Sequence, residues 1–164
     1  VQTGWRDPNW EPAPGSTPVP ACWRNPSGVI GGGGGGAPTE SAAPIESPGT
    51  PEAPRTIAVE LTGSLSITDA DGNQLSSIPV KAGETVEFEV TNTAGFDHNF
   101  YVGPEEELSS AAGDIPDGTG IPTFTEGTQT LTWTVPTDAS AGLQFACTVP
   151  GHYAPMHGDF VIQD

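Results

Sequence analysis

The chain has 164 residues, a hydrophobic fraction of 34% and a formal net charge of -17 at pH 7. This length gives room for one domain with a single core, and the low hydrophobic fraction indicates that part of the chain lies outside that core. The negative field makes nucleic acid and anionic membranes poor partners, and no run reaches the roughly 20 apolar residues of a membrane-spanning helix.

Residues 1–55 form a Pro/Gly-rich segment of low complexity, with most of the prolines and the run from Gly31 to Gly36. Such a composition cannot bury a core, so we interpret the segment as a tail or tether. We expect any export signal to be absent from this chain, because no charged start followed by an apolar run opens it.

Three tryptophans and one cysteine lie in the tail: Trp5, Trp10, Trp23 and Cys22. Because Trp is enriched at binding surfaces, one hypothesis is that residues 1–28 dock on a partner or on a second copy of the chain. Incidental aromatics in a disordered leader are an equal alternative. The sequence VPAC that ends at Cys22 only faintly matches a lipidation site, and an intermolecular disulfide fits equally well.

From residue 56 to residue 164, short runs with a period of two alternate with turn residues, which predicts a sandwich or barrel of antiparallel β-strands. The predicted strands cover residues 57–61, 64–68, 74–80, 84–90, 98–102, 128–135 and 143–147. In the fourth run, Val86, Phe88 and Val90 are expected to face inward and the glutamates between them outward. Residues 104–127 break the pattern, with a short acidic helix expected in PEEELSSAA and a loop in GDIPDGTGIPTF.

The strand phases direct His98 and Cys147 toward the apolar side, each at a strand end. Cys147 also opens the segment CTVPGHYAPMHG, which carries His152 and Met156, the only methionine of the chain. Either buried residue alone is more often structural, but a thiolate, two imidazoles and a thioether together are the ligand set of a mononuclear copper site for electron transfer. Zinc competes less well, because structural zinc sites favour four strong ligands.

The segments GFDHNF and CTVPGHYAPM resemble those of the cupredoxins, the small blue copper proteins, in particular the azurin and plastocyanin type. The resemblance covers residues 57–164. It implies a Greek-key β-sandwich that binds one type 1 copper ion through His98, Cys147 and His152, with Met156 as the weak axial ligand.

The resemblance further implies that Asn99 holds the cysteine loop by hydrogen bonding and that the carbonyl of Asp97 lies near the metal. It also implies an electron port at His152, near the surface, with an apolar rim for which Tyr153, Ala154 and Pro155 are suitable.

Five further residues in or next to the loop have expected roles. Pro150 and Pro155 are expected to stiffen it, and Gly151 and Gly158 to supply its turns. His157 is expected to point to solvent or to a partner in the surroundings of the site rather than to be a ligand.

The function that these features predict is a one-electron carrier outside the cytoplasm, with no enzymatic role, because no open coordination position, general base or substrate cleft is evident. All but five of the 21 acidic residues lie in residues 56–164, against Lys81 as the only Lys or Arg there, so a redox partner with a basic docking surface is expected. Adaptation to high salt explains the acidity equally well. Two alternatives remain open: a copper-delivery module, and an assembly protein whose tail mediates interactions.

Overall fold

A computed structural model describes residues 44–140 and 142–164 of the chain. The hypotheses on the three tail tryptophans and on Cys22 concern residues outside these ranges and stay predictions. No helix in the described part is long and apolar enough to cross a membrane.

The described residues form nine strands and one short helix that build two facing sheets. The elements are β1 (Arg55–Leu61), β2 (Ile67–Thr68), β3 (Ser77–Lys81), β4 (Thr85–Asn92), β5 (His98–Pro104), α1 (Glu105–Ser110), β6 (Gly120–Phe124), β7 (Gly127–Thr134), β8 (Leu143–Ala146) and β9 (His157–Gln163). One sheet has the order β2-β1-β4-β7 and the other the order β3-β9-β8-β5-β6. This architecture is the predicted Greek-key β-sandwich.

Two strand pairs run parallel, which the prediction of antiparallel strands missed. The strands β1 and β4 pair in parallel, as do β3 and β9. The chain leaves the first sheet after β2, forms β3 in the other sheet and then returns as β4, so β4 enters beside β1 in the same direction. Alternation of apolar residues reports which face is buried but not the direction of a neighbouring strand.

The predicted strand over 64–68 is wrong for its first half, because only Ile67 and Thr68 are extended. Leu65 has a φ of 57° and its N–H donates to the Thr62 carbonyl at 3.1 Å, which closes a turn. Likewise β3 begins only at Ser77, three residues later than predicted. The other five predicted strands lie at their predicted places, to within two residues at each end.

Two strands were missed. The strand β6 lies in the predicted loop, where Gly120 and Pro122 weaken a strand pattern, but it forms the edge of its sheet, where proline is tolerated. A Cβ on Gly120 would lie 2.3 Å from the Tyr101 ring, so glycine allows this strand to pass close to β5. The strand β9 follows the segment that carries His152 and Met156 and lies between β3 and β8. The acidic helix α1 lies where it was predicted.

The core lies between the sheets, and its centre is aromatic. As predicted, Val86, Phe88 and Val90 are all 0% exposed. The ring centroid of Phe88 lies 5.3 Å from that of Phe100 and 6.1 Å from that of Phe160. All residues from 98 to 102 are buried, because α1 and the following loop cover the outer face of β5. A strand at this depth shows no alternation of polar residues.

Gly158 does not form a turn, contrary to expectation, but lies buried within β9. A Cβ at this position would lie 2.2 Å from Cζ of Phe145, whose own ring packs against Phe100 and Phe160. The ring has little freedom to withdraw, because it is fully buried. Glycine is therefore required here for packing, whereas Gly151, with a φ of 86°, does form the expected turn.

Replacing Gly158 with alanine is expected to lower the free energy of unfolding by about 1–3 kcal/mol, the usual cost of overpacking a core. Urea unfolding followed by tryptophan fluorescence measures the change. Gly103→Ala is the matched control, because a Cβ on Gly103 of β5 meets its nearest atom at an ordinary 3.6 Å. Equal stability of the two variants would contradict this account of Gly158.

Candidate metal centre

His98, Cys147 and His152 meet in one cluster. The Sγ atom of Cys147 lies 3.6 Å from Nδ1 of His98 and 3.6 Å from Nδ1 of His152, and the two Nδ1 atoms lie 3.2 Å apart. His98 and Cys147 are 0% exposed, and His152 is half-buried. The sequence prediction that these three side chains converge is confirmed.

Sγ of Cys147 and Nδ1 of the two histidines form a triangle whose size fits a single metal ion. The point equidistant from its three corners lies about 2.0 Å from each, within the range of about 2.0–2.3 Å that first-row metals make with imidazole nitrogen and thiolate sulfur. Two nitrogens and one thiolate in a plane are the donor set of a trigonal copper site. The cluster therefore fits a mononuclear copper ion.

Strand pairing explains why two distant segments meet here. The strands β5 and β8 are antiparallel, with Tyr101 opposite Ala146. His98 begins β5 and Cys147 directly follows the end of β8, so both lie at the same end of the sheet.

The loop after β8 folds back through its own backbone and carries His152 to this end. The N–H of Cys147 donates to the carbonyl of Met156 at 2.9 Å, and the N–H of Met156 donates to the carbonyl of His152 at 3.0 Å. Met156 is 0% exposed and packs in the main core. Its backbone is thus tied to two members of the cluster, which is consistent with the predicted axial role of its sulfur.

Without a metal, the environment of Cys147 favours the neutral thiol. Burial raises the pKa of Cys147, although the backbone N–H groups of Asn99 and Val149 act in the opposite direction. Burial, followed by the charge of His152, lowers the pKa of His98. A cation at the centre of the cluster would reverse this preference and favour the thiolate.

No Lys or Arg side chain is available for that purpose in the described part of the chain, which contains only Arg55 and Lys81. Arg55 pairs with the buried Glu84 at 2.6 Å, and Lys81 donates to the backbone carbonyl of Asp164.

Asn99 holds the cysteine loop, as predicted. Its Oδ1 atom accepts hydrogen bonds from the backbone N–H of Thr148 at 2.7 Å and from the Thr148 hydroxyl at 3.2 Å. On the other side, its Nδ2 donates to the carboxylate of Asp114 at 3.1 Å. Sequence reasoning did not identify Asp114, because it lies in a loop without periodicity.

The rings of His157 and Tyr153 lie beside each other rather than in the cluster. Nδ1 of His157 lies 2.9 Å from the Tyr153 carbonyl, and the two rings stack with centroids 4.8 Å apart. The Tyr153 hydroxyl donates to Gln144 at 2.7 Å. His157 thus has the local partner that was expected of it, and Tyr153 is partly turned into the domain.

Phe96 is a residue of the site that the sequence reasoning missed. Its ring centroid lies 4.8 Å from that of His98 and 6.2 Å from that of His152, yet the residue is 39% exposed. It belongs to the GFDHNF segment, where an aromatic residue two positions before a buried histidine was the available signal.

Comparisons with known proteins agree with the fold and the cluster. No protein-family model matches the chain, and no curated protein matches its sequence. Among solved structures, auracyanin A, a "blue" copper protein from Chloroflexus aurantiacus, is 27% identical with a TM-score of 0.54, over 68% of this chain and 100% of that one.

Two further structures share the fold. An azurin from Methylomonas sp. strain J is 20% identical with a TM-score of 0.51, over 68% of this chain and 100% of that one. Auracyanin B is 20% identical with a TM-score of 0.50, over 74% of this chain and 94% of that one. With its two-sheet sandwich and a His–Cys–His cluster that fits one copper ion, the chain has the cupredoxin fold and resembles these blue copper proteins in its candidate site.

Proposed function

We propose that this protein is an electron carrier that uses a single type 1 copper ion and has no enzymatic role. The observation that carries the proposal is the triangle of Cys147 Sγ and the two histidine Nδ1 atoms. These three atoms, with the thioether of Met156 as a weak axial donor, would hold the ion. Bound copper supplies a one-electron couple between Cu(I) and Cu(II).

The protein supplies rigidity and exclusion of water. His98, Cys147 and Met156 are 0% exposed, so water has little access to the donor atoms. His98 is fixed by a central strand, and the loop that carries the other donors is closed by its own backbone hydrogen bonds. Donors that cannot move far change little between the two oxidation states, and this keeps electron transfer fast.

The electron would enter and leave through His152, the half-buried member of the cluster. Its ring lies beside the exposed Phe96, and Ala154 and Pro155 are exposed in the same loop. These three residues form the apolar rim in this proposal. A single imidazole edge surrounded by apolar residues favours brief contacts with another redox protein over the binding of a substrate.

The partner in this proposal is a redox protein with a basic docking surface, because the domain is strongly acidic. We place the exchange outside the cytoplasm, in the periplasm or at the cell surface, on the basis of the cupredoxin fold. The acidic helix α1, with Glu105, Glu106 and Glu107 in its first turn, contributes to the negative surface.

The copper-loaded chain is expected to show an intense visible absorption band from thiolate-to-copper charge transfer and a reversible one-electron couple. Cys147→Ser removes the thiolate and should abolish the band. His157→Ala is the matched control, since His157 directly follows Met156 at the start of β9 but lies outside the cluster, and it should keep the band. Copper binding without the band, or a band that survives Cys147→Ser, would contradict the proposal.

A charge in the rim is expected to slow electron transfer without removing copper. Phe96→Glu should lower the electron self-exchange rate by about tenfold or more, because a desolvated charge opposes close contact between two apolar rims. NMR line broadening in mixtures of the oxidised and reduced protein measures this rate.

Val161→Glu is the control for Phe96→Glu, because Val161 is similarly exposed, at 42%, but lies on β9. It adds the same charge outside the rim. Equal self-exchange rates for the two variants would show that the rim around Phe96 is not the port.

A further inference from the structure

We propose that Asp114 is a positioning residue for the metal centre, which fixes the orientation of the Asn99 amide and thereby holds the cysteine loop. This inference rests on the proposed function, because it concerns the same centre. It assigns a role to a loop residue that lies 33 positions before Cys147 and contacts none of the proposed ligands directly.

One carboxylate oxygen of Asp114 accepts three hydrogen bonds. Its Oδ1 atom accepts the backbone N–H of Thr123 at 2.8 Å, the Thr123 hydroxyl at 2.7 Å and the Asn99 Nδ2 at 3.1 Å. A carboxylate can only accept at this position, so the Asn99 side that faces it must be the amide nitrogen. The amide oxygen is then forced to face Thr148.

That orientation decides whether the cysteine loop is held. The N–H of Thr148, the residue directly after Cys147, needs an acceptor, and Asn99 Oδ1 provides it at 2.7 Å. If the amide rotated by half a turn, its NH₂ group would face the Thr148 N–H, and a buried donor would lose its partner. The charged acceptor on one side also polarises the amide and strengthens the bond on the other side.

The segment that carries Asp114 is itself fixed to the cysteine loop. The N–H of Gly113 donates to the Thr148 carbonyl at 2.7 Å, and the Thr148 hydroxyl lies 2.7 Å from the Gly113 carbonyl. On the other side of Asp114, Ile115 packs against the buried cluster that contains Tyr101. Asp114 therefore acts from a fixed position between these two anchors.

The carboxylate is charged at neutral pH. Burial acts to raise the pKa of Asp114, but the hydrogen bonds from Thr123 and Asn99 outweigh it and leave this pKa below its usual value. Hydrogen bonding and charge are two separate effects, which substitutions can distinguish.

Three variants of the full chain separate the effect of hydrogen bonding by Asp114 from the effect of its charge. Asp114→Ala removes both the acceptor and the charge, Asp114→Asn removes the charge but keeps an acceptor oxygen, and Asp138→Ala removes a charge from an exposed turn elsewhere. The first readout is amide hydrogen exchange of Thr148 in the metal-free protein, with Phe88 as an internal reference. The second is the thiolate-to-copper band of the copper-loaded protein.

We expect exchange at Thr148 to be about tenfold faster in Asp114→Ala, with Phe88 unaffected, and the copper band to shift or weaken. Asp114→Asn should restore both readouts nearly to those of the parent chain, and Asp138→Ala should leave them unchanged. Parent-like exchange and an unaltered band in Asp114→Ala would overturn the proposal. So would an Asp114→Asn variant that behaves like Asp114→Ala, because charge alone would then account for the effect.

If Asp114→Ala does not fold, Thr123→Val keeps the proposal testable, because it removes one of the three bonds that hold the carboxylate. A smaller acceleration of Thr148 exchange is then expected, and no acceleration would overturn the proposal. The hydrogen-exchange measurement tests the role of Asp114 in the metal-free protein. The proposed function is tested separately, because it fails if the copper-loaded parent chain shows no thiolate-to-copper band. The two failures are therefore distinguishable.

Discussion

The pairing of β5 with β8 is the constraint on which the rest of the structure depends. It brings His98, the first residue of β5, and Cys147, the residue after β8, to a common end of the sheet, although they lie 49 positions apart in the sequence. Without this pairing, the thiol of Cys147 and the imidazole of His98 would not lie close together. The ladder lies in the middle of its sheet, with β9 beside β8 and β6 beside β5. Backbone hydrogen bonds of this ladder thus place His98 and Cys147 at the same end of the sheet.

Packing and hydrogen bonding hold the centre from opposite sides. On the core side, Met156 and Cys147 belong to the apolar cluster between the sheets. On the other side, Asn99 and Thr148 connect the ligand loop to the segment around Asp114. Burial raises the pKa of Cys147 and favours the neutral thiol, whereas a bound cation would favour the thiolate.

The distribution of charge separates the surface of this domain from its centre. Its two Lys and Arg side chains are bonded to Glu84 and to the chain end, and the carboxylates dominate the exterior. By contrast, the rim proposed around His152 consists of Phe96, Ala154 and Pro155, which are exposed and uncharged. In the proposed function, the acidic surface attracts a basic partner over a distance, and the small apolar rim sets the final contact.

The sequence by itself determined the sandwich class, most of the strands and the convergence of His98, Cys147 and His152. It could do so because alternation reports a buried face directly and because the donor residues are chemically rare in this chain. Tertiary structure alone decided the parallel pairs, the strand β6, the packing role of Gly158 and the parts played by Phe96 and Asp114. These features depend on which segments become neighbours in the folded domain. The contact of Gly158 with the buried Phe145 ring and that of Asp114 with the distant Asn99 amide produce no periodic pattern in the sequence, so the sequence could not predict them.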